Sequence, residues 1–207
     1  FTKENGLDCG LITNGSAIVK EHCDDLISNL KWLRVSVSGG DVASYNKVQG
    51  KDHFERVINN ISMLAKEKIK RDNNIKIGIR MLVNEINLYT LSKLAARINN
   101  INGINYLQIS PNQFSNDEGK FWNGPEVENE IKKTEEILKQ SKIELLTSSF
   151  GILSTSKAEH EKLINYPKKC YAHFYQITIM ADGNVAFCKN ARFNKKYFVG
   201  NLNNDNI

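Results

Sequence analysis

The sequence predicts an α/β protein whose parallel strands build an open or closed βα barrel, and three observations predict it. Short apolar runs alternate with amphipathic stretches of helical length between residues 9 and 147, the order that makes βα units and a parallel sheet. About five such units follow one another, which favours a barrel over a doubly wound sheet. The strands at 33–38, 77–84 and 104–110, split into their two sides, carry aliphatic residues on one side and serine, arginine, glutamine or asparagine repeatedly on the other.

The elements follow in chain order. Cys9 to Thr13 (CGLIT) reads as a strand, and Ala17 to Leu30 as a helix with Ile18, Val19, Leu26, Ile27 and Leu30 on one side. Leu33 to Val37 is the next strand. Asp52 is placed to cap a helix with Glu55 three residues on, and Phe54, Val57, Ile58, Ile61, Leu64 and Ala65 make one apolar stripe along it. Ile75 to Val83 is a strand. Asn87 is placed to cap a helix bearing Leu88, Leu91, Leu94, Ala95 and Ile98 that ends before Gly103. Ile104 to Ile109 is a strand stopped by Pro111. A helix around Val127, Ile131, Ile137 and Leu138 and a strand at Ile143 to Thr147 complete the series. Two long irregular segments remain, Pro111 to Gly124 and Phe150 to Pro167, and the second marks a boundary. The expected domains are 1–150 for the barrel, 151–169 for a linker and 170–207 for a small β-rich unit.

Alternation along a strand decides which side faces what. Arg34, Ser36 and Ser38 oppose Leu33, Val35 and Val37; Gly78, Arg80, Leu82 and Asn84 oppose Ile77, Ile79, Met81 and Val83; Tyr106, Gln108 and Ser110 oppose Leu107 and Ile109. Helices must cover the aliphatic side, so the polar side points inward. A packed barrel fills its interior with branched side chains, and a buried polar group without a partner costs a few kcal/mol. The polar interior therefore implies water or a sizeable polar ligand. Thr13, Asn14, Ser36, Ser38, Asn84, Ser110, Asn112, Ser148 and Ser149 gather at the carboxyl ends of the strands, where parallel sheets bind ligands. Singly, such serines and asparagines also end strands and cap turns.

Composition narrows the class. Hydrophobic content of 41% and charged content of 25% in 207 residues are those of a globular chain with a substantial core. The net charge of +5 is spread over helices, as at Lys132, Lys133 and Lys139, with no basic stripe interleaved with aromatics, so nucleic acid is not an expected partner. No run approaches the ~18 apolar residues of a membrane span, and no signal peptide opens the chain. The expectation is a cytoplasmic protein without membrane association. Four cysteines (Cys9, Cys23, Cys170, Cys188) suit a reducing compartment better than a disulfide framework. The abrupt first and last residues give the expectation of a fragment of a longer chain.

Cys170, twelve residues, Gly183, four residues and Cys188 bracket one expected hairpin. Ile177, Ile179 and Met180 lead into Asp182-Gly183, the pair that a tight primed turn requires, and Val185 and Phe187 lead out. Two thiols on neighbouring backbone begin a metal or iron-sulfur site; buried cysteines packing as small hydrophobes are the alternative. Cys9 and Cys23 read as core thiols. His22, His53, His160 and His173 share no ligand spacing. The inward strand ends offer hydroxyls and amides but almost no carboxylate, lysine or histidine for general acid-base work, which argues against a lyase or isomerase. Ser38-Gly39-Gly40-Asp41 reads as a turn after a strand.

Taken in order, these stretches resemble the radical S-adenosylmethionine superfamily, in its subgroup with a C-terminal SPASM or twitch extension. Leu11-Ile12-Thr13-Asn14-Gly15 resembles the third-strand TNG motif, and Trp32 to Ser38 (WLRVSVS) the fourth strand. Tyr45 to Gly50 followed by Phe54, Val57 and Ile61 matches the helix entry after that strand. Ile79 to Asn87 (IRMLVNEIN) resembles the fifth strand and its asparagine, and Tyr106 to Pro111 (YLQISP) the sixth. Cys170, Gly183 and Cys188 match the opening of the SPASM pattern, and Gly200-Asn201-Leu202 its GN element. Departures are also present: no CxxxCxxC or GGE motif lies within the chain, and Ser38 stands where an aspartate is usual.

The resemblance implies a partial TIM-like (β/α) barrel followed by the start of a β-hairpin iron-sulfur domain. It implies an oxidoreductase-type enzyme that cleaves S-adenosylmethionine reductively to a 5′-deoxyadenosyl radical and abstracts hydrogen from a peptide or small-molecule substrate. Radical-cluster ligands would lie outside this chain, which alone would not be active, and an electron donor such as flavodoxin or ferredoxin would serve as partner. Ser36 and Ser38 would hold the cofactor's ribose, Asn14 and Gln108 would line the same interior, and Ile109 and Pro111 would flank the adenine. Arg80, and more weakly Lys47, would meet a carboxylate of cofactor or substrate. Cys170 and Cys188 would ligate an auxiliary 4Fe-4S cluster. The alternative is a non-catalytic degenerate βα barrel that binds a polar ligand and whose cysteine pair holds zinc.

Overall fold

The structure is a computed structural model that describes residues 3–111, 125–147, 171, 174–189, 192 and 194–204. Two compact units divide the chain, residues 1–156 and 157–207.

In the first unit the order is β1 (Gly10–Thr13), α1 (Cys23–Asn29), β2 (Trp32–Ser36), α2 (Val42–Gln49), α3 (Phe54–Lys70), β3 (Lys76–Val83), α4 (Leu91–Asn99), β4 (Tyr106–Pro111), α5 (Pro125–Leu138) and β5 (Glu144–Thr147). All four strand pairings are parallel, and the sheet order is the chain order, β1-β2-β3-β4-β5. Sequential order without reversal is that of a βα barrel segment; a doubly wound sheet turns back at a switch point.

The aliphatic side of the sheet is sealed. Leu33, Val35, Ile77, Ile79, Met81, Leu107 and Ile109 have no exposed surface and share one core with Val57, Ile61 and Leu64 of α3 and Leu91, Leu94 and Ile98 of α4. Burying one such side chain contributes about 1.5–3 kcal/mol, so these residues fix which side of each strand receives the helices. The other side stays partly open, with Ile12 52% and Leu82 45% exposed.

Local chemistry corrects several helix starts. The expected helix from Ala17 begins later: Val19 is extended, Lys20–His22 forms a single 3-10 turn, and α1 starts at Cys23. Asp52 caps nothing, because His53 occupies the N-cap of α3 without a side-chain bond and Glu55 pairs instead with Arg97 of α4. Asn87 does not cap a helix either. Leu88–Thr90 is a 3-10 turn ahead of α4, and the Asn87 side chain is spent on strand-end backbone. α2 is an additional helix. Asp41 closes a capping box with Ser44, accepting from its N–H at 2.9 Å, and Gly50 ends the helix in the left-handed region at φ 66°.

Behind the sheet, Lys68 is almost buried and donates to the Gly103 carbonyl (2.9 Å) and Asn105 Oδ1 (2.7 Å). Burial pushes this ammonium below its ordinary pKa. Its partners are backbone and amide oxygens, so its role is to tie α3 to the loop before β4.

The second unit holds a three-stranded antiparallel sheet, β6 (Thr178–Ile179), β7 (Asn184–Ala186) and β8 (Phe198–Asn201), in the order β6-β7-β8. The hairpin forms, but its turn is not the primed one. Gly183 N–H donates to the Met180 carbonyl (2.9 Å), so Ala181 and Asp182 are the central residues. Gly183 alone of the four turn residues takes positive φ, at 81°. A type I turn closed by a left-handed glycine follows, the arrangement of longer hairpin loops. Asn201 and Asn203 both donate to the Asp182 carbonyl, at 3.3 and 3.1 Å, and a Cβ on Gly183 would lie 2.4 Å from Asn203 Nδ2.

Candidate functional site: the open face of the parallel sheet

In-register partners share a side of a parallel sheet, so the register lays out the open face in rows. Gly10 lies beside Trp32, Ile12 beside Arg34, Gly78, Tyr106 and Glu144, and Ser36 beside Arg80, Gln108 and Leu146. Two strand glycines make room for flat rings. A Cβ on Gly10 would stand 2.0 Å from the Trp32 indole, and one on Gly78 would stand 1.9 Å from the Tyr106 ring. Glycine inside a strand often marks such a close approach. The indole also lies under Arg34, whose Cζ is 5.9 Å from the ring centroid.

Two guanidiniums stand on this floor. Arg34 crosses β3 to donate from Nη1 to Gln108 Oε1 at 2.8 Å, while its Nε is buried without a partner. Arg80 has a buried, unpartnered Nε as well, and no hydrogen bond or ion pair of its side chain is found among the described residues. Burial, and secondarily the like charge of Arg34, pulls Arg80 below its ordinary pKa. It nevertheless remains a cation, since arginine stays protonated in proteins. Burial also pushes the Tyr106 hydroxyl above its usual value. Glu144, the acid whose register position shares this face, is exposed and pairs with neither arginine.

The residues expected to bind a cofactor separate into available and committed groups. Ser36 is half-buried, and its hydroxyl is unbonded among the described residues. Ser38 accepts from Gln49 Nε2 at 2.5 Å, Asn14 accepts from Ser16 N–H and Oγ at 3.1 and 2.9 Å, and Gln108 is held by Arg34. Ser36, Arg80 and Gln108 therefore meet in one row, whereas Ser38 and Asn14 sit beyond the strand ends with their side chains engaged.

Other expectations need correction. Ile109 has no exposed surface and lies on the helix side, so it cannot flank an adenine on the open face. Lys47 is exposed on α2, off the sheet altogether. The side chain of Pro111, the whole of Ser148 and Ser149, and the aromatic loop 112–124 lie outside the described residues.

Asn87 is a structural residue that alternation alone could not reveal. Fully buried, it donates to the Ser38 and Leu82 carbonyls, both at 2.9 Å, and accepts from Asn84 N–H at 2.8 Å, joining the ends of β2 and β3. Arg34 is the site residue that sequence reasoning placed on the correct side but gave no role. Its signal was its spacing of two from Ser36.

On the helix side, a cleft of about 490 Å³ is lined by residues that include Asp41, Phe54, Lys93 and Arg97. Its charges are already matched, Lys93 with Asp41 at 2.7 Å and Arg97 with Glu55 at 2.5 Å. In the second unit Cys188 is half-buried with Gln176 Nε2 3.9 Å from its sulfur, and Cys170 lies outside the described residues. Cys9, Cys23 and Cys188 form no disulfide, and Cys23 is buried as expected of a core thiol. Among the described residues no group of three or more histidine, cysteine or acidic side chains is placed to hold a metal, and no helix is long and apolar enough to cross a membrane.

No protein-family model matches this chain, and no curated protein matches it. Among solved structures, it is similar to a crystal structure of a domain of pyruvate-formate lyase-activating enzyme from Bacteroides vulgatus ATCC 8482, at 12% identity and a TM-score of 0.49 over 71% of this chain and 84% of that one.

Proposed function

We propose that the open face of the sheet binds S-adenosylmethionine and that this chain supplies a partial βα barrel to a radical S-adenosylmethionine enzyme acting on a peptide or small-molecule substrate. The observation that carries the reading is Arg80: a cation without a partner among the described residues, in one row with a serine hydroxyl that is likewise unbonded among them. The order of the motifs along the chain supports it independently.

The residues fit the cofactor in part. Arg80 would take its carboxylate, since a guanidinium pairs best with a bidentate acceptor. Ser36 would hydrogen-bond the ribose. Asn14, Ser38 and Gln108 already accept from Ser16, Gln49 and Arg34, and would meet the cofactor through their remaining amide and hydroxyl donors. When bound and reductively cleaved, S-adenosylmethionine supplies hydrogen-abstracting chemistry, and the protein's part is to orient it.

An iron-sulfur cluster is not accommodated by the described residues, among which no group of three or more histidine, cysteine or acidic side chains is placed to hold a metal. An auxiliary cluster at Cys170 and Cys188 would need further ligands from outside the described residues, and a flavodoxin or ferredoxin would supply the electron.

The test is anaerobic iron-sulfide reconstitution of the full natural gene product, followed by reduction with dithionite in the presence of S-adenosylmethionine. Brown colour and release of 5′-deoxyadenosine are the expected results. Zinc retention without iron uptake or deoxyadenosine would support a non-catalytic binding module instead.

A further inference from the structure

The open sheet face carries more positive charge than one cofactor carboxylate neutralises. Arg34 and Arg80 stand on adjacent strands, two positions out of register, and each has a buried Nε with no acceptor. Neither belongs to an ion pair among the described residues, although the same unit pairs its surface arginines readily, Arg71 with Asp24 and Arg97 with Glu55. Two like charges so close, partly withdrawn from water, repel each other and lose hydration. An uncompensated charge of this kind is costly unless something completes it.

We infer that Arg34 and Arg80 together form an oxyanion site, and that the ligand of this face carries a carboxylate or phosphate group held between them. Gln108 fixes the Arg34 fork by taking one of its N–H donors, and Trp32 stacks beneath it. Both leave unbonded Nη groups that, unlike the buried Nε, are not closed off from solvent, and guanidiniums bind oxyanions bidentately. This goes beyond the adenosyl reading, which gives the carboxylate to Arg80 alone, and does not depend on it, because the two cations share this face whichever ligand occupies it.

Inorganic phosphate is the probe, titrated against sodium chloride of equal ionic strength with the melting temperature of the 207-residue chain as the readout. A ligand that binds only the folded state raises that temperature with concentration. We expect a saturable rise with phosphate beyond that with chloride. Arg34→Met and Arg80→Met should each weaken the apparent phosphate affinity at least about tenfold, whereas Lys93→Met should leave it unchanged. Arg80→Lys, which keeps the charge but not the fork, should fall between.

In chloride alone Arg80→Met should melt no lower than the parent, since it removes an unpaired cation. A lower melting temperature there would show that protein groups already satisfy Arg80 and would overturn the inference. So would a phosphate response equal to that of chloride, or one that survives both methionine variants. Phosphate binding without any binding of an adenosyl ligand would sink the cofactor reading and leave this one standing.

Discussion

Arg34 Nη1 reaches across the whole of β3 to Gln108 Oε1 at 2.8 Å, linking β2 to β4 over a residue, Gly78, that has no side chain to obstruct it. The bond is charge-assisted and half-buried, a class that contributes about 1.5–3 kcal/mol. Gln108→Leu should therefore cost roughly 1–2 kcal/mol in urea unfolding. A double-mutant cycle with Arg34→Met should return a coupling of about 1 kcal/mol or more. Additive losses would mean that the contact does not form in solution.

Asn87 is fully buried and satisfies three backbone groups at the ends of β2 and β3. Asn87→Ala would strand the Ser38 and Leu82 carbonyls and the Asn84 N–H, each unmet group costing about 1–3 kcal/mol where water cannot replace the amide. A loss of about 3 kcal/mol is expected in chemical unfolding, accompanied by faster amide exchange at Asn84.

Asp41 ties stability to acid pH. The Lys93 ammonium beside it, and then the Ser44 backbone N–H, hold its carboxyl at about 2, below the ordinary 3.8. A depressed carboxyl contributes stability that is complete above its unfolded pKa and lost as pH falls toward the folded one. The window is thus from about pH 4 or 5 down to about pH 2. The two pKa values alone correspond to about 2.5 kcal/mol; because the side chain is 32% exposed and its lysine partner more so, screening reduces this to roughly 1 kcal/mol. Asp41→Asn keeps an N-cap oxygen and should flatten the acid limb of a stability-pH curve while costing about 1 kcal/mol at neutral pH.

Gly40 is required for space rather than for dihedral freedom. A Cβ there would lie 1.6 Å from the Thr90 carbonyl oxygen and 2.9 Å from Leu94 N, both backbone. Gly40→Ala should cost about 3 kcal/mol, at the upper end of overpacking. Gly50→Ala meets nothing within 4 Å and only a left-handed φ of 66°, so about 1 kcal/mol is expected there. Thermal melts of the two variants give the comparison directly.

Much of this architecture was legible because β-strands have a period of two. The aliphatic sets Leu33-Val35-Val37 and Ile77-Ile79-Met81-Val83 are so uniform that only one side of each strand could receive helices, and the polar row of Ser36, Arg80 and Gln108 followed from that. Helix α2 was not legible, since Val42 to Gln49 has no apolar stripe and its signal was the short-range exchange between Asp41 and Ser44. The same ambiguity misassigned Asn87, whose amide suits a helix cap by local rules but is claimed by carbonyls on two strands. Arg34 was overlooked for a different reason. That its neighbours lack a counter-charge is a property of three-dimensional placement, and alternation shows only which side a residue is on.

Isothermal titration with S-adenosylhomocysteine, which presents the carboxylate and ribose without undergoing cleavage, tests the central claim most directly. The account predicts saturable one-to-one binding to the parent chain, weakened about tenfold or by ~1.4 kcal/mol in both Ser36→Ala and Arg80→Met, with Lys47→Met indistinguishable from the parent. An absence of saturable heat, or equal affinity in the parent and both sheet variants, would contradict it.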